Sequence, residues 1–307
     1  LGEHVGVGDE CIDRVDGGVE VVLDGVEVTV VAVGDAGGDG ALGNLVDVVG
    51  GHVERPDDGV ERGIDAVDDL AEIALVLAGV GTGFQLAGDG CANTRFYNLR
   101  LYDTGEQFIK GSATGYGLGA DTGIVEYCEL KYTTQGTDYT NGVDIHGGEG
   151  WIIRHNRFEK VNLIPGGIGP AVLMWNGSSN TVVEGNTFIN CECAIALGLV
   201  DRAAPQTDHS GGIVRNNFIW RGSGTITGID SPDCSILIWD SPNTKVLHNT
   251  IIQNGSYTSG IEYRFSTSGA VIRFNLMDCT VLDRGGGTGD QPSWKNHAAA
   301  LIEKIGR

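Results

Sequence analysis

Two residues with acid–base chemistry lie two positions apart in the segment GVDIHGG, residues 142–148. Asp144 and His146 are expected on the same side of a strand, because side chains alternate between the two faces of an extended chain. A carboxylate beside an imidazole can exchange protons or bind a metal ion. We therefore consider Asp144 and His146 the leading candidates for catalysis; the alternative is a pair of solvated surface charges.

Four further charged side chains lie in similar short apolar segments: Lys110 in FIKGS, Asp240 in SILIWDS, and Glu262 and Arg264 in GIEYRFS. Lys110 or His146 is a candidate base for removing a proton α to a carboxylate. Arg264 is a candidate bidentate anchor for that carboxylate. Asp240 and Glu262 are a candidate pair for glycoside hydrolysis, retaining at about 5 Å separation and inverting at a wider one.

Several loop residues are candidates for contacts with a substrate. The loop DRAAPQTDHSGG, residues 201–212, contains a second acid–imidazole pair, although a turn stabilised by an Asp side chain is an equally good interpretation. Long loops next to a repeat array commonly build a binding face, where aromatic rings stack on sugars or pack against the core. The residues assigned to substrate binding are Tyr139, Asn176, Arg202, His209 and Trp220.

A repeated phrase must position all of these side chains. IIRHNRF, VVEGNTF, IVRNNFI, KVLHNTI and VIRFNLM share one asparagine position, FYNLRL fits the same frame, and VEYCEL fits it with Cys128. The intervals are 26 to 32 residues, and a near-constant period is typical of a solenoid. Three strands of about five residues, with turns, fill such a period.

The repeated asparagine is interpreted as structural. It tolerates the left-handed backbone of a tight turn, and its amide can donate to one neighbouring coil and accept from the next. The predicted ladder consists of Asn98, Asn156, Asn186, Asn217, Asn249 and Asn275.

The segments HGGEGWIIRHNRF, GPAVLMWNGSSNTVVEGNTFINC, DHSGGIVRNNFI and DSPNTKVLHNTIIQNGSYTSGIEYRF resemble bacterial right-handed parallel β-helix repeat proteins of the pectate-lyase-like superfamily. The resemblance covers about residues 91–282. It implies an all-β, single-stranded right-handed parallel β-helix of about seven coils. It also implies polysaccharide lyases, glycoside hydrolases, epimerases, esterases and non-catalytic adhesins as functional options, and no lyase motif chooses among them.

In the resembled fold, glycans bind along the strand that precedes the first turn of each coil. Alternation within these strands predicts an inward set consisting of Ile145, Trp175, Leu197, Trp239 and Tyr263. One predicted outward column contains Lys110, Asp144, Met174, Ala196, Ile238 and Glu262. The other contains His146, Asn176, Gly198, Asp240 and Arg264. Adjacent coils lie about 4.8 Å apart, so each column brings its members close together.

Composition limits the partners. The 307 residues include 41 acidic and 20 basic ones, a net charge of −21, and neither residues 1–90 nor the remaining 217 residues have the basic face of a nucleic-acid binder. No apolar run is close to the length of about 20 residues that a membrane-spanning helix needs.

The seven cysteines are an odd number, so not all of them can pair within the chain. We expect buried thiols, with Cys191 and Cys193 on one side of a strand. We expect a monomer that needs no cofactor, with Ca2+ left open as a ligand.

Residues 1–90 differ from the rest of the chain. They contain 20 acidic and 3 basic residues and no Ser, Tyr, Trp or Lys. The segment 17–33 predicts a hairpin turning at Asp24-Gly25, and 66–79 predicts a helix that caps the solenoid. The alternative is a translation of the wrong reading frame of a GC-rich gene, because whole residue classes are missing.

The repeat fades after residue 282, and residues 283–307 are interpreted as a tail with a short capping helix over 293–307. Because the chain begins with leucine and shows no leader, we expect a fragment, a mature form or a partial gene product. The resemblance implies an extracellular or periplasmic protein. The predicted function is polysaccharide binding, with lyase-like cleavage as the first mechanism and hydrolysis by paired carboxylates as the second. The competing class is a non-catalytic surface or adhesion module.

Overall fold

The computed structural model describes residues 82–87, 91–134, 140–161, 169–222, 234–256 and 259–285, and the backbone of five further strands. Three of these form an antiparallel sheet, in the order β1 (Gly18–Leu23), β2 (Val26–Gly34) and β3 (Asn44–Val48). Leu23 lies opposite Val26, which confirms the predicted hairpin.

Most of the other described strands wind into a solenoid with three parallel sheets of eight strands each. The first sheet contains β4 (Ile73–Val76), β7 (Leu99–Tyr102), β10 (Glu129–Lys131), β13 (Arg157–Glu159), β17 (Thr187–Ile189), β21 (Phe218–Trp220), β24 (Thr250–Ile252) and β27 (Leu276–Met277). The second contains β5 (Phe84–Ala87), β8 (Ile109–Ser112), β11 (Val143–His146), β14 (Pro170–Trp175), β18 (Cys193–Leu197), β22 (Ile236–Trp239), β25 (Ser259–Arg264) and β28 (Thr280–Asp283). The third contains β6 (Arg95–Tyr97), β9 (Ile124–Glu126), β12 (Ile152–Arg154), β16 (Val182–Glu184), β20 (Ile213–Arg215), β23 (Lys245–Leu247), β26 (Val271–Arg273) and β29 (Ser293–Lys295).

The strands follow the order third, first and second sheet through seven successive coils from β6 to β28, which confirms the predicted number. A short accessory pair, β15 (Ser178–Ser179) with β19 (His209–Ser210), joins two turns. The middle residue of most strands in the first and third sheets is buried and its neighbours are exposed or half-buried, as alternation requires. The side chains of all three sheets fill one continuous core inside the coils.

Two predicted helices are wrong where the structure describes them. Ile73–Val76 is a strand that pairs with β7, and Ser293–Lys295 is a strand that pairs with β26. The other residues of these two segments lie outside the described part of the chain. Both strands extend a sheet beyond the complete coils, and β4 and β5 precede residue 91, the predicted start of the solenoid.

The asparagine ladder runs between the third and first sheets. Asn186 Oδ1 accepts hydrogen bonds from the backbone and amide nitrogens of Asn156, at 2.9 and 3.0 Å. Asn186 Nδ2 donates to Ile153 O at 2.9 Å and to Asn217 Oδ1 at 3.0 Å. The pattern continues through Asn249 to Asn275, and Cys128 joins at its start by donating its backbone N–H to Asn156 Oδ1.

Two details of the predicted ladder are wrong. Register with β9 and β10 places Asn98 opposite Tyr127 and Leu99 opposite Cys128, so Asn98 lies one position before the ladder. The left-handed backbone also belongs to this preceding position, not to the ladder asparagines. Its members, with φ between 53° and 64°, are Asn98, Tyr127, His155, Gly185, Asn216, His248 and Phe274.

The described cysteines are mostly buried thiols, as expected. Burial raises the pKa of Cys128 to about 11 and that of Cys191 to about 12. Cys91 is disulfide-bonded. Cys191 lies in the main core and Cys193 in a separate cluster outside the second sheet, so the prediction that they share a side is wrong. The reason is that β18 begins only at Cys193, after the turn that contains Cys191.

Candidate functional site

Three of the candidate catalytic residues meet on the outer face of the second sheet. Lys110 and Asp144 are register partners on β8 and β11, and Lys110 Nζ lies 2.8 Å from Asp144 Oδ2. His146 Nε2 lies 3.5 Å from both Asp144 Oδ1 and Lys110 Nζ. Trp175 on β14 completes this acid–base cluster by donating its indole N–H to Asp144 Oδ1 at 2.9 Å.

The acid–base cluster combines a buried anion with two accessible groups. The side chain of Asp144 is 4% exposed, whereas those of Lys110 and His146 are 23% and 22% exposed. Burial by itself would raise the pKa of Asp144, but the hydrogen bond to His146 and the Lys110 ammonium outweigh it and lower that pKa. Asp144 is therefore a carboxylate at neutral pH, and it holds the other groups in place.

Trp175 was predicted to point inward, and this is wrong. It is the register partner of His146, and the two rings meet edge to face with centroids 4.5 Å apart. The neighbouring Met174 points into the core instead. The turn residue Asn176, with φ of 58°, marks the end of β14. Gly147 has the same left-handed backbone directly after His146. Aligning these two turn residues in the sequence would have placed Trp175 on the same outer face as His146.

A loop that we call the strap, residues 113–119, borders the acid–base cluster. Gly119 N donates to Gly147 O at 3.1 Å, and Gly117 N donates to Asn176 O at 2.9 Å. A Cβ on Gly119 would lie 1.9 Å from His146 O, so only glycine permits this approach. The Tyr116 hydroxyl donates a hydrogen bond to Thr207 O at 2.6 Å and accepts one from the Thr207 backbone N–H at 2.9 Å. The strap therefore crosses two successive corners and reaches a third turn.

The centre of the second sheet is closed by an outer apolar cluster. Its members are Leu173, Cys193, Ala196, Cys234, Leu237 and Trp239, all at most 5% exposed. Trp239 was predicted to point inward and Ile238 outward; the structure reverses both, because Trp239 pairs with Arg264 and Ile238 with Tyr263. The predicted continuous outward columns are therefore interrupted between the acid–base cluster and β25.

Asp240 and Glu262 do not form the predicted carboxylate pair. Glu262 lies opposite Leu237, so Asp240 is three residues further along, about 10 Å away. Both side chains are fully buried. The Glu262 carboxylate accepts hydrogen bonds from Ser259 Oγ at 2.6 Å and from Arg284 Nη1 at 2.9 Å. Their separation and internal partners do not favour a hydrolytic pair.

Asp240 anchors a turn. Its Oδ2 accepts the backbone N–H groups of Arg202 and Asp208, at 2.9 and 3.0 Å, and its own φ is 49°. Burial raises the pKa of Asp240; the backbone donors oppose that shift, and the carboxylates of Asp201 and Asp208 add to it. The role of Asp240 in this structure is therefore to hold the loop over residues 201–208.

The loop residues predicted to bind substrate are mostly internal anchors. Arg202 Nε lies 2.7 Å from Asp208 Oδ1, and the Asn176 backbone N–H donates to the same oxygen at 3.0 Å. His209 is fully buried between Ser241 Oγ at 2.9 Å and Thr181 Oγ1 at 3.2 Å, so the structure does not place it on a binding surface. Arg202 and Asn176 stay partly exposed beside the strap.

Trp220 and Tyr139 are not part of the acid–base cluster. Trp220 ends β21 on the outer face of the first sheet, opposite Ile189 and Ile252, instead of on a loop wall. Tyr139 lies outside the described residues.

Arg264 lies at the far end of the second sheet, where its guanidinium carbon is 5.0 Å from the Trp239 ring centre and 4.4 Å from that of Phe265. Strand β25 is four strands from β11, about 19 Å away. The structure thus brings together three of the six candidate catalytic residues, Lys110, Asp144 and His146. The other three, Asp240, Glu262 and Arg264, lie elsewhere.

Among the described residues, no group of three His, Cys, Asp or Glu side chains is arranged to hold a metal ion. No helix in that part of the chain has the length and apolarity needed to cross a membrane. Sequence reasoning missed Gln85 and Ser112, which extend the polar face beside Lys110 and are joined by a 3.3 Å hydrogen bond.

The solved structures with a similar fold are distant. The surface protein and adhesin PfbA of Streptococcus pneumoniae is 11% identical, with a TM-score of 0.29, covering 73% of this chain and 66% of that one. A tailspike mutant of E. coli bacteriophage HK620, in complex with a pentasaccharide, is 15% identical, with a TM-score of 0.36, covering 73% of this chain and 58% of that one. The chain thus spans less than two thirds of each.

A comparison with curated proteins gives no match. The family described as "Right handed beta helix region" matches residues 82–277, which is more than half of the chain and agrees with the three parallel sheets. The chain therefore belongs to the right-handed β-helix family.

Proposed function

We propose that the protein binds a glycan on the outer face of the second sheet, at the acid–base cluster. The observation that supports this is the convergence of Lys110, Asp144, His146 and Trp175, four side chains from three adjacent strands. Half-exposed polar groups beside an indole ring suit a sugar, whose hydroxyls need hydrogen-bond partners and whose C–H face packs on aromatic rings.

The reaction that fits this cluster best is β-elimination of a uronate glycan, with His146 as the base. Lys110 is already paired with Asp144 at 2.8 Å, whereas the contacts of His146 are longer, at 3.5 Å. The imidazole would take the proton α to the carboxylate while the glycosidic C–O bond breaks and a C=C bond forms, and the leaving sugar oxygen would take a proton from water. Lys110 would face the substrate carboxylate, and Asp144 would hold both groups in position.

A glycan-binding module without catalysis is the second candidate. The pairing of Lys110 with Asp144 and the burial of Asp240 and Glu262 favour it, since few acid–base groups are left free. We also propose that the protein acts outside the cytoplasm as a monomer. The disulfide at Cys91 supports this location, because disulfides persist mainly in oxidising compartments.

The test is a panel of acidic and neutral polysaccharides, followed by ultraviolet absorbance of unsaturated products, by reducing ends and by binding. The variant is His146→Gln, and the matched control is His155→Gln, which changes an exposed imidazole at another corner. Loss of a general base lowers the rate by about 10²–10⁴-fold. If the wild type and His155→Gln form unsaturated products and His146→Gln does not, the result supports a lyase with His146 as its base. If the wild type binds a glycan but forms no product, the result supports the non-catalytic glycan-binding module. Absence of binding to every glycan contradicts the proposal.

A further inference from the structure

Arg264 lies within ion-pair distance of no carboxylate among the described residues. The chain has 41 acidic and 20 basic residues, so carboxylates are abundant. The arginines that do lie within ion-pair distance of one are Arg95, Arg100, Arg154, Arg157, Arg202, Arg215 and Arg284. The positive charge of Arg264 is thus left without a counter-charge from the described part of the chain.

Two aromatic rings fix the position of this guanidinium. Trp239 and Phe265 meet edge to face, at 84° and with centroids 6.0 Å apart, and both contact Arg264. Cation–π contacts hold an arginine without consuming its hydrogen-bond donors. A planar donor fork that is already oriented loses little entropy when it binds an anion.

Buried donors at the same place have no acceptor. The Arg264 Nε and the Trp239 Nε1 are both buried without a hydrogen-bond partner. These residues are register partners on β25 and β22, so their backbones lie about 4.8 Å apart. An unsatisfied buried donor costs about 1–3 kcal/mol, and a ligand acceptor recovers this cost when its binding uncovers the donor.

The neighbouring arginine behaves differently. Arg284 lies 5.8 Å from the same Trp239 ring, but its Nη1 is bonded to Glu262 Oε2 at 2.9 Å. Glu262 therefore neutralises Arg284 and leaves Arg264 as the local cation. A ligand that matches one oriented guanidinium and one indole N–H is an oxyanion with at least two acceptor oxygens.

We propose that Arg264 and Trp239 form an anion subsite for a carboxylate or sulfate ester carried by the bound glycan. The inference rests on the proposed glycan binding and adds the class of substrate. Arg264 lies about 19 Å from His146, with the other members of the apolar cluster between them, so Arg264 acts in specificity and not in the chemical step.

The first test measures affinity by calorimetry for three oligosaccharides of equal length: oligogalacturonate, sulfated galactan and uncharged galactan. We expect the wild type to bind one charged probe at least tenfold tighter than the uncharged one, and Arg264→Gln to abolish this preference without changing affinity for the uncharged probe. The matched control is Arg215→Gln, on the third sheet and paired with Glu184, which should keep the preference. The probe that loses affinity identifies carboxylate or sulfate. Preserved preference in Arg264→Gln overturns the subsite.

The second test needs no glycan and separates the two proposals. Sodium acetate and sodium sulfate are titrated while the indole N–H resonance of Trp239 is followed, assigned with Trp239→Phe. A saturable shift in the wild type that is absent in folded Arg264→Gln supports the subsite even where no oligosaccharide binds. No shift with either anion overturns it, while binding of the oligosaccharides would still support the proposed function.

Discussion

Asn217 shows how single amides hold neighbouring coils together. Its Oδ1 accepts the backbone and side-chain nitrogens of Asn186, both at 3.0 Å. Its Nδ2 donates to Val183 O and to Asn249 Oδ1, both at 2.9 Å. One side chain thus satisfies polar groups of the coils on both sides, all of them away from water.

Replacing Asn217 with alanine should destabilise the fold strongly. The Asn186 backbone N–H and the Val183 carbonyl lose their side-chain partner, and each buried orphan costs about 1–3 kcal/mol, so we expect a loss of about 3–5 kcal/mol. The measurement is the free energy of unfolding in urea. The adjacent Asn216→Gly is the control, because Asn216 is exposed with φ of 56°, a conformation that glycine adopts freely. Equal losses in the two variants would contradict a structural ladder.

His209 gives a prediction about pH. Burial lowers the pKa of His209 to about 3, whereas the unfolded chain has the ordinary value of about 6.5. The unfolded state therefore binds the proton first, so this stabilising contribution is complete above about pH 6.5 and is lost as pH falls towards about 3.

We expect the wild type to lose several kcal/mol of stability over this pH range, and His209→Gln to lose less, measured by urea unfolding between these limits. Glutamine keeps polar atoms near Ser241 and Thr181 but does not titrate. His155→Gln is the matched control, because it makes the same substitution at an exposed imidazole. An unchanged slope in His209→Gln would show that another group carries the acid sensitivity.

At the scale of elements, the strap is held by backbone contact that only glycine allows. Gly119→Ala would place a Cβ 1.9 Å from His146 O, so the strap or β11 must move. Overpacking of this kind costs about 1–3 kcal/mol, and displacement of His146 should weaken glycan binding. Urea unfolding and binding affinity are the measurements.

The control for the strap is Gly115→Ala, in the same loop. Its Cβ would meet first the Leu118 Cδ1 at 3.2 Å, an atom of a side chain that is 53% exposed and able to move. We expect this variant to stay close to the wild type. If Gly119→Ala were equally neutral, the strap would not position the acid–base cluster.

The elements also show what the sequence could predict. The period and the asparagine phrases were sufficient for the coils, the ladder and the adjacency of Lys110 and Asp144. The faces of Trp175 and Trp239 were missed, because a one-residue error at the end of a strand reverses inside and outside. The helix predicted over 66–79 is wrong where the structure describes it, because a short apolar run fits either period and the pairing of β4 with β7 makes Ile73–Val76 a strand.

The burial of Ala196 and Leu237 on the outer face could not be predicted from alternation. Both belong to the apolar cluster outside the second sheet, and only the tertiary structure reveals that this part of the face is covered. The same cluster lies between the acid–base cluster and Arg264. The outward column predicted from the sequence therefore grouped His146 with Arg264, although the two lie in separate regions of the sheet.

At the scale of the whole molecule, the three sheets join each coil to its immediate neighbours, and the longer contacts of the strap end at Thr207, so a complete coil beyond that point should be removable. In a solenoid, stability is approximately a sum over repeats and their interfaces. Deleting Asn249–Phe274 removes β24, β25 and β26 and joins His248 to Asn275, which keeps the order of the three sheets. The deletion also removes Arg264 but leaves every residue of the acid–base cluster in place.

We expect this deletion variant to fold cooperatively, with a lower urea midpoint, and to bind an uncharged glycan as the wild type does while losing any preference for an acidic one. The control deletes Asn249–Ile261, about half a coil, which breaks the order of the sheets and turns later side chains away from their partners; it should not fold. Circular dichroism, urea unfolding and calorimetry check these outcomes. Loss of uncharged-glycan binding in the folded full-coil deletion would show that the glycan depends on the C-terminal coils, contrary to the division of the second sheet by its apolar cluster.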